Sequence, residues 1–271
     1  EAFLQPDRIL IGAKTAQSYA LDWASPADVE TQFSRAIDGL LDILSQRQWR
    51  GRRLRLLSSE YWSRSLLLPL PGKAPTDDEL DRLVGIEFER IYGKSMESWA
   101  WRWDRGVGQA YALAWPQAPL ERLRRGLADL DGRLTLAAPV AAHVLCDAPD
   151  AGTENWRMLL ENSCVTLARY ADRRILAWRT LPLEHGVGVT QALDYSLQCL
   201  AREQARLDDS CNEVLLFDLR SDTPGESGRS ALFQAAPWRI RRAAPSPRGF
   251  EILAAQVTAS ARDPRIRADR P

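Results

Sequence analysis

The chain has 271 residues, 45% of them apolar and 27% charged, as in soluble globular proteins with room for one large domain or two lobes. Its 36 basic and 36 acidic residues balance, so the overall charge gives no reason to expect a nucleic-acid partner. No apolar run is long enough for a membrane helix, and no signal peptide is recognisable. Since the chain begins at Glu1 and ends at Pro271, we expect a piece of a longer protein, with a membrane anchor or further domain possible beyond it.

Cysteine and histidine usage argues against metal and disulfide chemistry. The two histidines, His143 and His185, are too few and too scattered for a histidine metal site. We interpret His143, within the apolar run 139–146, as a core residue. The cysteines have no CxxC spacing and lie within or next to apolar elements, which is typical of free thiols in a reducing cytosol. They are Cys146, Cys164, Cys199 and Cys211.

The first half of the chain alternates β-rich runs with amphipathic helical segments. One helix is predicted to begin at Ser25, as N-cap, with Pro26 in its first turn. A second begins at the capping box formed by Thr76 and Glu79, and a third spans residues 119–127. Strands are predicted at residues 9–11, 18–23, 53–58, 64–70, 99–104, 109–115 and 134–137.

The second half repeats the order hairpin, helix, strand. Residues 9–23 and 159–173 each place an apolar pair before a short polar turn and a β-rich strand, which predicts duplicated lobes. Residues 219–248, rich in Pro, Gly and Ser, are predicted to be the most mobile region. The predicted elements are strands at 165–170, 174–181, 214–218 and about 230–234, with helices at 189–207 and 249–262.

The end of the chain is basic. From Pro237 onward eight arginines face only Glu251, Asp263 and Asp269, which leaves a net charge of +5. One interpretation is a solvated tail. The other is contact with an anionic membrane surface or an acidic partner.

Two stretches carry a resemblance to a known family. Residues 66–93 place a strand ending in Leu-Pro before a spacer and a helix that contains Glu87 and Glu89. Residues 166–197 contain a strand–turn–strand and a bend with Gly186 and Thr190. In this pattern the chain resembles the cytoplasmic actin-like assembly proteins of type IV pili and type II secretion systems, the PilM, GspL and MshI-like group.

The resemblance implies an α/β, duplicated two-lobe actin-like (ribonuclease H-like) ATPase fold with mixed sheets flanked by helices. The first lobe would span residues 1–137, with a small subdomain inserted at about 53–115. The second lobe would span residues 138–271.

The resemblance also implies ATP and magnesium between the lobes, but the expected phosphate-binding residues are mostly missing. The family's first phosphate loop, Asp-x-Gly-Ser, is replaced at residues 11–15, and its second, Asp-x-Gly, at residues 161–163. The Gly-Gly expected after strand 214–217 is absent. We therefore predict a degenerate nucleotide site with no catalytic residue and no required cofactor, residual ATP binding being an open alternative. Its members would be Gly12, Lys14, Thr15, Glu161, Ser163 and Gly186.

Three tryptophans, Trp99, Trp101 and Trp103, alternate along one predicted strand, so their rings share one face. One interpretation is aromatic packing beneath a helix or lobe. The other is an exposed surface that receives a partner peptide, because aromatic residues are enriched at binding hot spots.

Together these features predict a scaffold at the cytoplasmic face of the bacterial inner membrane. Expected partners are PilN-like or GspM/GspE-like platform proteins and a secretion ATPase. The alternatives are an active actin-like ATPase or sugar-kinase relative, and an unrelated α/β interaction module. The sequence contains no P-loop, dinucleotide fingerprint or nucleophile elbow that would favour an enzyme.

Overall fold

The computed structural model describes residues 1–12, 16–21, 28–46, 48–106, 108–146, 154–171, 174–184, 189–220, 232–235 and 237–242. The predicted helix at 249–262 lies outside these residues. In the described part of the chain, no helix is both long and apolar enough to cross a bilayer.

The first large sheet has the strand order β3-β2-β1-β4-β8. Its first three strands form an antiparallel meander, and β4 and β8 continue the sheet in parallel from the central strand β1. Helices α1 and α3 contact each other beside this sheet. In chain order these elements are β1 (Ala2–Gln5), β2 (Arg8–Gly12), β3 (Ala16–Ala20), α1 (Val29–Ser45), β4 (Arg53–Ser58), α3 (Gln117–Asp129) and β8 (Arg133–Pro139).

The second large sheet has the order β11-β10-β9-β12-β14-β13, in which the first five strands repeat the topology of the first sheet. β9 is the central strand, β10 and β11 form the meander, and β12 and β14 run parallel to β9. The elements are α4 (Val140–Cys146), β9 (Asn155–Leu160), β10 (Cys164–Ala171), β11 (Arg174–Pro182), α5 (Val189–Leu207), β12 (Glu213–Asp218), β13 (Leu232–Ala235) and β14 (Trp238–Arg242). Two of these strands lie within the segment predicted to be mobile.

The duplication is present, but the predicted alignment of the halves is wrong by one strand. β1 is the counterpart of β9, whereas residues 9–11 lie in β2 and residues 159–160 end β9. The strand β1 escaped prediction because its four residues are all buried and therefore show no alternation of apolar and polar side chains.

A small antiparallel sheet, ordered β5-β7-β6, lies between β4 and α3 in the chain. Because Arg53–Ser58 pairs with β1, the small sheet begins at Arg64, later than the boundary predicted near residue 53. At the predicted boundary between the two lobes, strand β8 continues beyond residue 137 to Pro139. The elements of this part are β5 (Arg64–Pro69), α2 (Asp77–Tyr92), β6 (Trp99–Gly106) and β7 (Gln109–Pro116), with short 3₁₀ helices at Glu60–Trp62 and Lys94–Ser98.

Helix α1 begins three residues later than the sequence predicts. Its N-cap is Asp28, whose carboxylate accepts the Thr31 N–H at 2.9 Å, and the predicted N-cap Ser25 lies outside the described residues. Aspartate caps a helix as effectively as serine, so the preference for serine at this position does not by itself exclude Asp28. The apolar face is as predicted, with Phe33, Ile37 and Leu40 buried.

The two large sheets share one apolar core. Phe3 and Leu57 of the first sheet pack in the same cluster as Leu159 and Phe217 of the second, and Val144 of α4 lies among them. The lobes are therefore joined over a continuous buried surface, and its burial stabilises their relative position.

Helix α2 provides a test of local stability because the predicted capping box is present. Thr76 Oγ1 accepts the Glu79 N–H at 3.3 Å, and Glu79 Oε2 accepts the Thr76 N–H at 2.7 Å. We expect Thr76→Ala to lower the free energy of unfolding by about 1 kcal/mol, measured by urea denaturation. Thr76→Ser keeps the acceptor and should stay close to wild type. Equal losses in both variants would contradict the capping role.

Candidate functional site

Two turns meet between the lobes at equivalent places in the duplicated fold. The turn after β1 contains Asp7, and the turn after β9 contains Asn162. Asn162 Nδ2 donates to Asp7 Oδ2 at 2.8 Å. These two turns take the positions of the paired phosphate loops that the family resemblance implies.

This geometry corrects the predicted first loop. The turn equivalent to residues 161–163 is formed by residues 5–8, whereas Gly12 ends β2, one strand later. Gly12 is buried with φ of 144° and donates its N–H to the Glu1 carbonyl at 2.9 Å, which closes the sheet locally. Lys14, Thr15 and Gly186 lie outside the described residues.

Glu161 links the two lobes. Its side chain is 1% exposed, and Oε1 accepts the backbone N–H of Glu60 at 3.1 Å and the Cys164 thiol at 3.3 Å. The Ser59 hydroxyl lies beside this carboxyl group, with its oxygen 4.0 Å from the Cys164 sulfur. A side chain of the second sheet thus caps the 3₁₀ helix Glu60–Trp62 of the first lobe.

Glu60 is a second buried acid beside this link, and the sequence analysis missed it. It is 1% exposed, and Oε2 accepts hydroxyl groups from Ser63 at 2.7 Å and from Ser65 at 3.3 Å. It stands in the polar run 58–60, where the sequence carries no sign that the side chain is buried. The short helix that carries it contacts α1, β10 and β11, which are distant from it in sequence.

Burial raises the pKa of both carboxyl groups and so favours their neutral forms. Desolvation raises the pKa of Glu60 to about 8; the bond from Ser63 opposes this shift, and the charge of Glu161 adds to it. Desolvation also raises the pKa of Glu161 to about 7, although hydrogen bonds from Ser59, Glu60 and Cys164 lower it. Burial likewise raises the pKa of the Cys164 thiol. Near neutral pH the pair therefore retains protons that exposed carboxylates would lose.

The two turns do not fit the phosphates of ATP. A phosphate site needs free backbone N–H groups in a tight turn, usually at glycines. Here the Glu161 N–H donates to the Cys164 carbonyl at 2.9 Å, the Glu161 carboxyl fills the space between the lobes, and Ser163 replaces the glycine. Across the described residues, no group of three or more His, Cys, Asp or Glu side chains is placed to hold a metal ion.

The position after β12 is also altered. Where the family resemblance leads us to expect Gly-Gly, a buried ion pair joins Asp218 and Arg220, with Arg220 Nη2 2.9 Å from Asp218 Oδ2. The Arg220 Nε donates to the other carboxylate oxygen at 2.9 Å. These two side-chain hydrogen bonds hold Arg220 against the backbone segment that an adenosine would need to approach closely.

The three tryptophans pack beneath α2, which favours the first of the two interpretations. Trp99 is buried, and the indole N–H groups of Trp101 and Trp103 both donate to Asp81 Oδ1 of α2, at 3.2 and 3.1 Å. The face that carries the rings is covered by this helix rather than open to a partner.

An open cleft of about 910 Å³ lies instead beside β5. Its walls are residues 63–69 along β5, residues 90–92 at the end of α2, and residues 178–180 of β11. β5 and β11 are each the outermost strand of their sheet among the described residues. We call this space the β5 cleft. In the sequence, Pro69 and Pro71, at and just after the end of the apolar run 66–70, are typical of an edge strand.

No protein-family model matches the chain, and no curated protein matches it. Among solved structures, it is similar to a chain of a PilM–PilN type IV pilus biogenesis complex, with a TM-score of 0.60 and 12% identity over 97% of this chain and 98% of that one. It is also similar to the cytoplasmic domain of EpsL, an inner-membrane component of the type II secretion system of Vibrio cholerae, with a TM-score of 0.50 and 11% identity over 95% and 93%.

A protein from Bacteroides thetaiotaomicron described as having an actin-like ATPase fold gives a TM-score of 0.49 and 10% identity over 83% of this chain and 82% of that one. The likeness to the PilM–PilN and EpsL structures and the repeated strand order confirm the predicted two-lobe actin-like α/β fold. They agree with the family resemblance seen in residues 66–93 and 166–197.

The buried acids make stability depend on pH. A glutamate whose folded pKa is raised from 4.5 to about 7 contributes stability that is complete below the lower value and lost as pH rises through the upper one. Glu161→Gln mimics the protonated side chain and keeps an acceptor for the Glu60 N–H. Between about pH 5 and pH 8, we expect wild type to lose roughly 3 kcal/mol more unfolding free energy than Glu161→Gln, measured by urea denaturation.

The matched control is Glu213→Gln, because Glu213 is exposed at the start of β12. Its pH dependence should follow that of wild type. If the unfolding free energies of Glu161→Gln and wild type change with pH in the same way across this range, then folding does not raise the pKa of the Glu161 carboxyl group.

Proposed function

We propose that the chain is a non-catalytic scaffold in the inner-membrane assembly platform of a type IV pilus or type II secretion system. It acts at the cytoplasmic face and binds cytoplasmic segments of a PilN-like or GspM-like membrane protein, with a GspE-like secretion ATPase as a further partner. The observation that carries this proposal is the end-to-end likeness to the PilM–PilN and EpsL structures.

The contact between the lobes supports a non-catalytic role. A nucleotide would have to displace Glu161 from the Glu60 N–H and bring phosphate charge against two buried acids. Uncompensated negative charge in a poorly hydrated site is costly. In this proposal the fold therefore positions the surfaces that bind partner proteins and does not hydrolyse ATP.

The β5 cleft supports the binding of an extended peptide. The Leu70 N–H donates to the Gly108 carbonyl at 2.9 Å, so the backbone groups of Leu66 and Leu68 face β7 in the same alternation. Those of Ser65 and Leu67 therefore face the open edge, where the Ser65 carbonyl already accepts the Tyr92 hydroxyl at 2.9 Å. A peptide strand could pair with the Leu67 N–H and C=O groups.

The first test is peptide binding. Peptides tiled across the cytoplasmic segment of a PilN-like or GspM-like protein from the same organism are titrated by fluorescence anisotropy. We expect Leu67→Pro, which removes the outward N–H, to weaken the best peptide at least about tenfold. Leu67→Ala keeps the N–H and should lose less. If no peptide binds the folded wild type, the proposed function fails.

The second test concerns nucleotide. Titration with a fluorescent ATP analogue in Mg²⁺ should show no binding in the micromolar range, and phosphate release should equal the protein-free blank, because the turns provide no free N–H cradle. Micromolar binding with turnover would replace the scaffold by an actin-like ATPase.

A further inference from the structure

Three arginines line the β5 cleft, and they differ in how their charge is balanced. Arg90 lies 2.7 Å from Glu87, and Arg179 lies 3.1 Å from Glu203. Arg64, at the start of β5, forms no ion pair with any carboxylate of the described residues. Of the three, Arg64 is therefore the arginine whose charge is not balanced by a carboxylate of the described residues.

Arg64 is held in place without being neutralised. Its Nη1 donates to the Ser63 carbonyl at 2.9 Å. The guanidinium lies over the rings of Trp99 and Tyr92, at 5.1 and 5.7 Å from their centroids. Such rings orient a cation and exclude water from its faces, but they leave its outer N–H groups available for an acceptor.

The acid inside the cleft does not serve as that acceptor. Glu60 accepts hydroxyl groups from Ser63 and Ser65, and burial raises its pKa to about 8, so it is largely neutral at neutral pH. Burial also lowers the pKa of Arg64 itself, since desolvation disfavours its charge. A carboxylate supplied from outside would offset that cost.

We propose that Arg64 binds an aspartate or glutamate side chain of the partner segment that docks along β5. This rests on the proposed function and specifies its ligand: an extended segment in which one acidic residue is flanked by apolar residues. The acidic residue lies at the Ser63 end of the cleft, where a planar guanidinium can form two parallel hydrogen bonds with a carboxylate.

The apolar residues follow from the rest of the wall. Leu67 of β5, Ile91 of α2 and Trp178 of β11 also line the cleft. Ile91 is 47% exposed, so a partner side chain there would remove apolar surface from water. The cleft thus combines one charged anchor with an apolar strip beside an open strand edge.

The experiment is a double-mutant cycle on the tightest of the tiled peptides. Each Asp or Glu of that peptide is changed in turn to Asn or Gln, and each version is titrated against wild type and Arg64→Gln. We expect Arg64→Gln to weaken the unmodified peptide about tenfold, and one acid-to-amide change to weaken wild type equally. In Arg64→Gln that change should add less than about twofold, because the pair is already broken.

Two variants keep the result interpretable. Arg90→Gln removes an exposed, already paired cation of the same cleft and should change affinity less than about twofold. Arg64→Lys keeps the charge without the planar fork and should fall between wild type and Arg64→Gln. If Arg64→Gln is unstable by thermal melting, the comparison is made with Arg64→Lys.

The outcomes separate the two proposals. If Arg64→Gln and Arg64→Lys bind the peptide like wild type while Leu67→Pro does not, the carboxylate proposal is wrong and the docking site stands. Additive losses in the cycle also overturn the pairing with Arg64. If the wild type binds none of the peptides, the proposed function and this inference fail together.

Discussion

The carboxyl group of Glu161 reaches from the second sheet to the first N–H of a 3₁₀ helix in the other lobe, and the arrangement of the molecule depends on this contact. It lies at the one place where the turns of both central strands converge. Ser59, Cys164 and Glu60 surround it in a buried contact, in which Glu161 Oε2 and Glu60 Oε1 have no hydrogen-bond partner among the described residues. The two lobes thereby contact each other directly through this buried carboxyl group.

This closure changes which parts of the fold remain open. The strand order of both sheets is retained, and the shared core keeps their relative position. The small sheet and α2, inserted after β4, meet β11 of the second lobe and leave the β5 cleft between them. A duplicated fold whose lobes contact each other can also present grooves where inserted elements meet the lobes.

Local patterns predicted the elements far better than they predicted the site. The capping box at Thr76, the apolar face of α1 and the helix at 189–207 each follow from neighbouring residues, and the structure reproduces them. Glu60 and Asp7 acquire their roles through residues about a hundred or more positions away, Glu161 and Asn162. The predicted first loop lies one strand too late because the short, fully buried β1 shows no alternation of apolar and polar residues that would mark it as a strand.

An open strand edge can also pair with a second copy of the same chain. Two prolines at the C-terminal end of β5 oppose such pairing. Pro69 closes the strand without an N–H, and Pro71 follows two residues later. Prolines at the rim of a sheet interrupt the ladder that a growing fibril would need. β11 also contacts β5, which limits the room for a second, flat edge to stack there. The open edge of β5 is therefore protected from uncontrolled pairing with further copies of the chain.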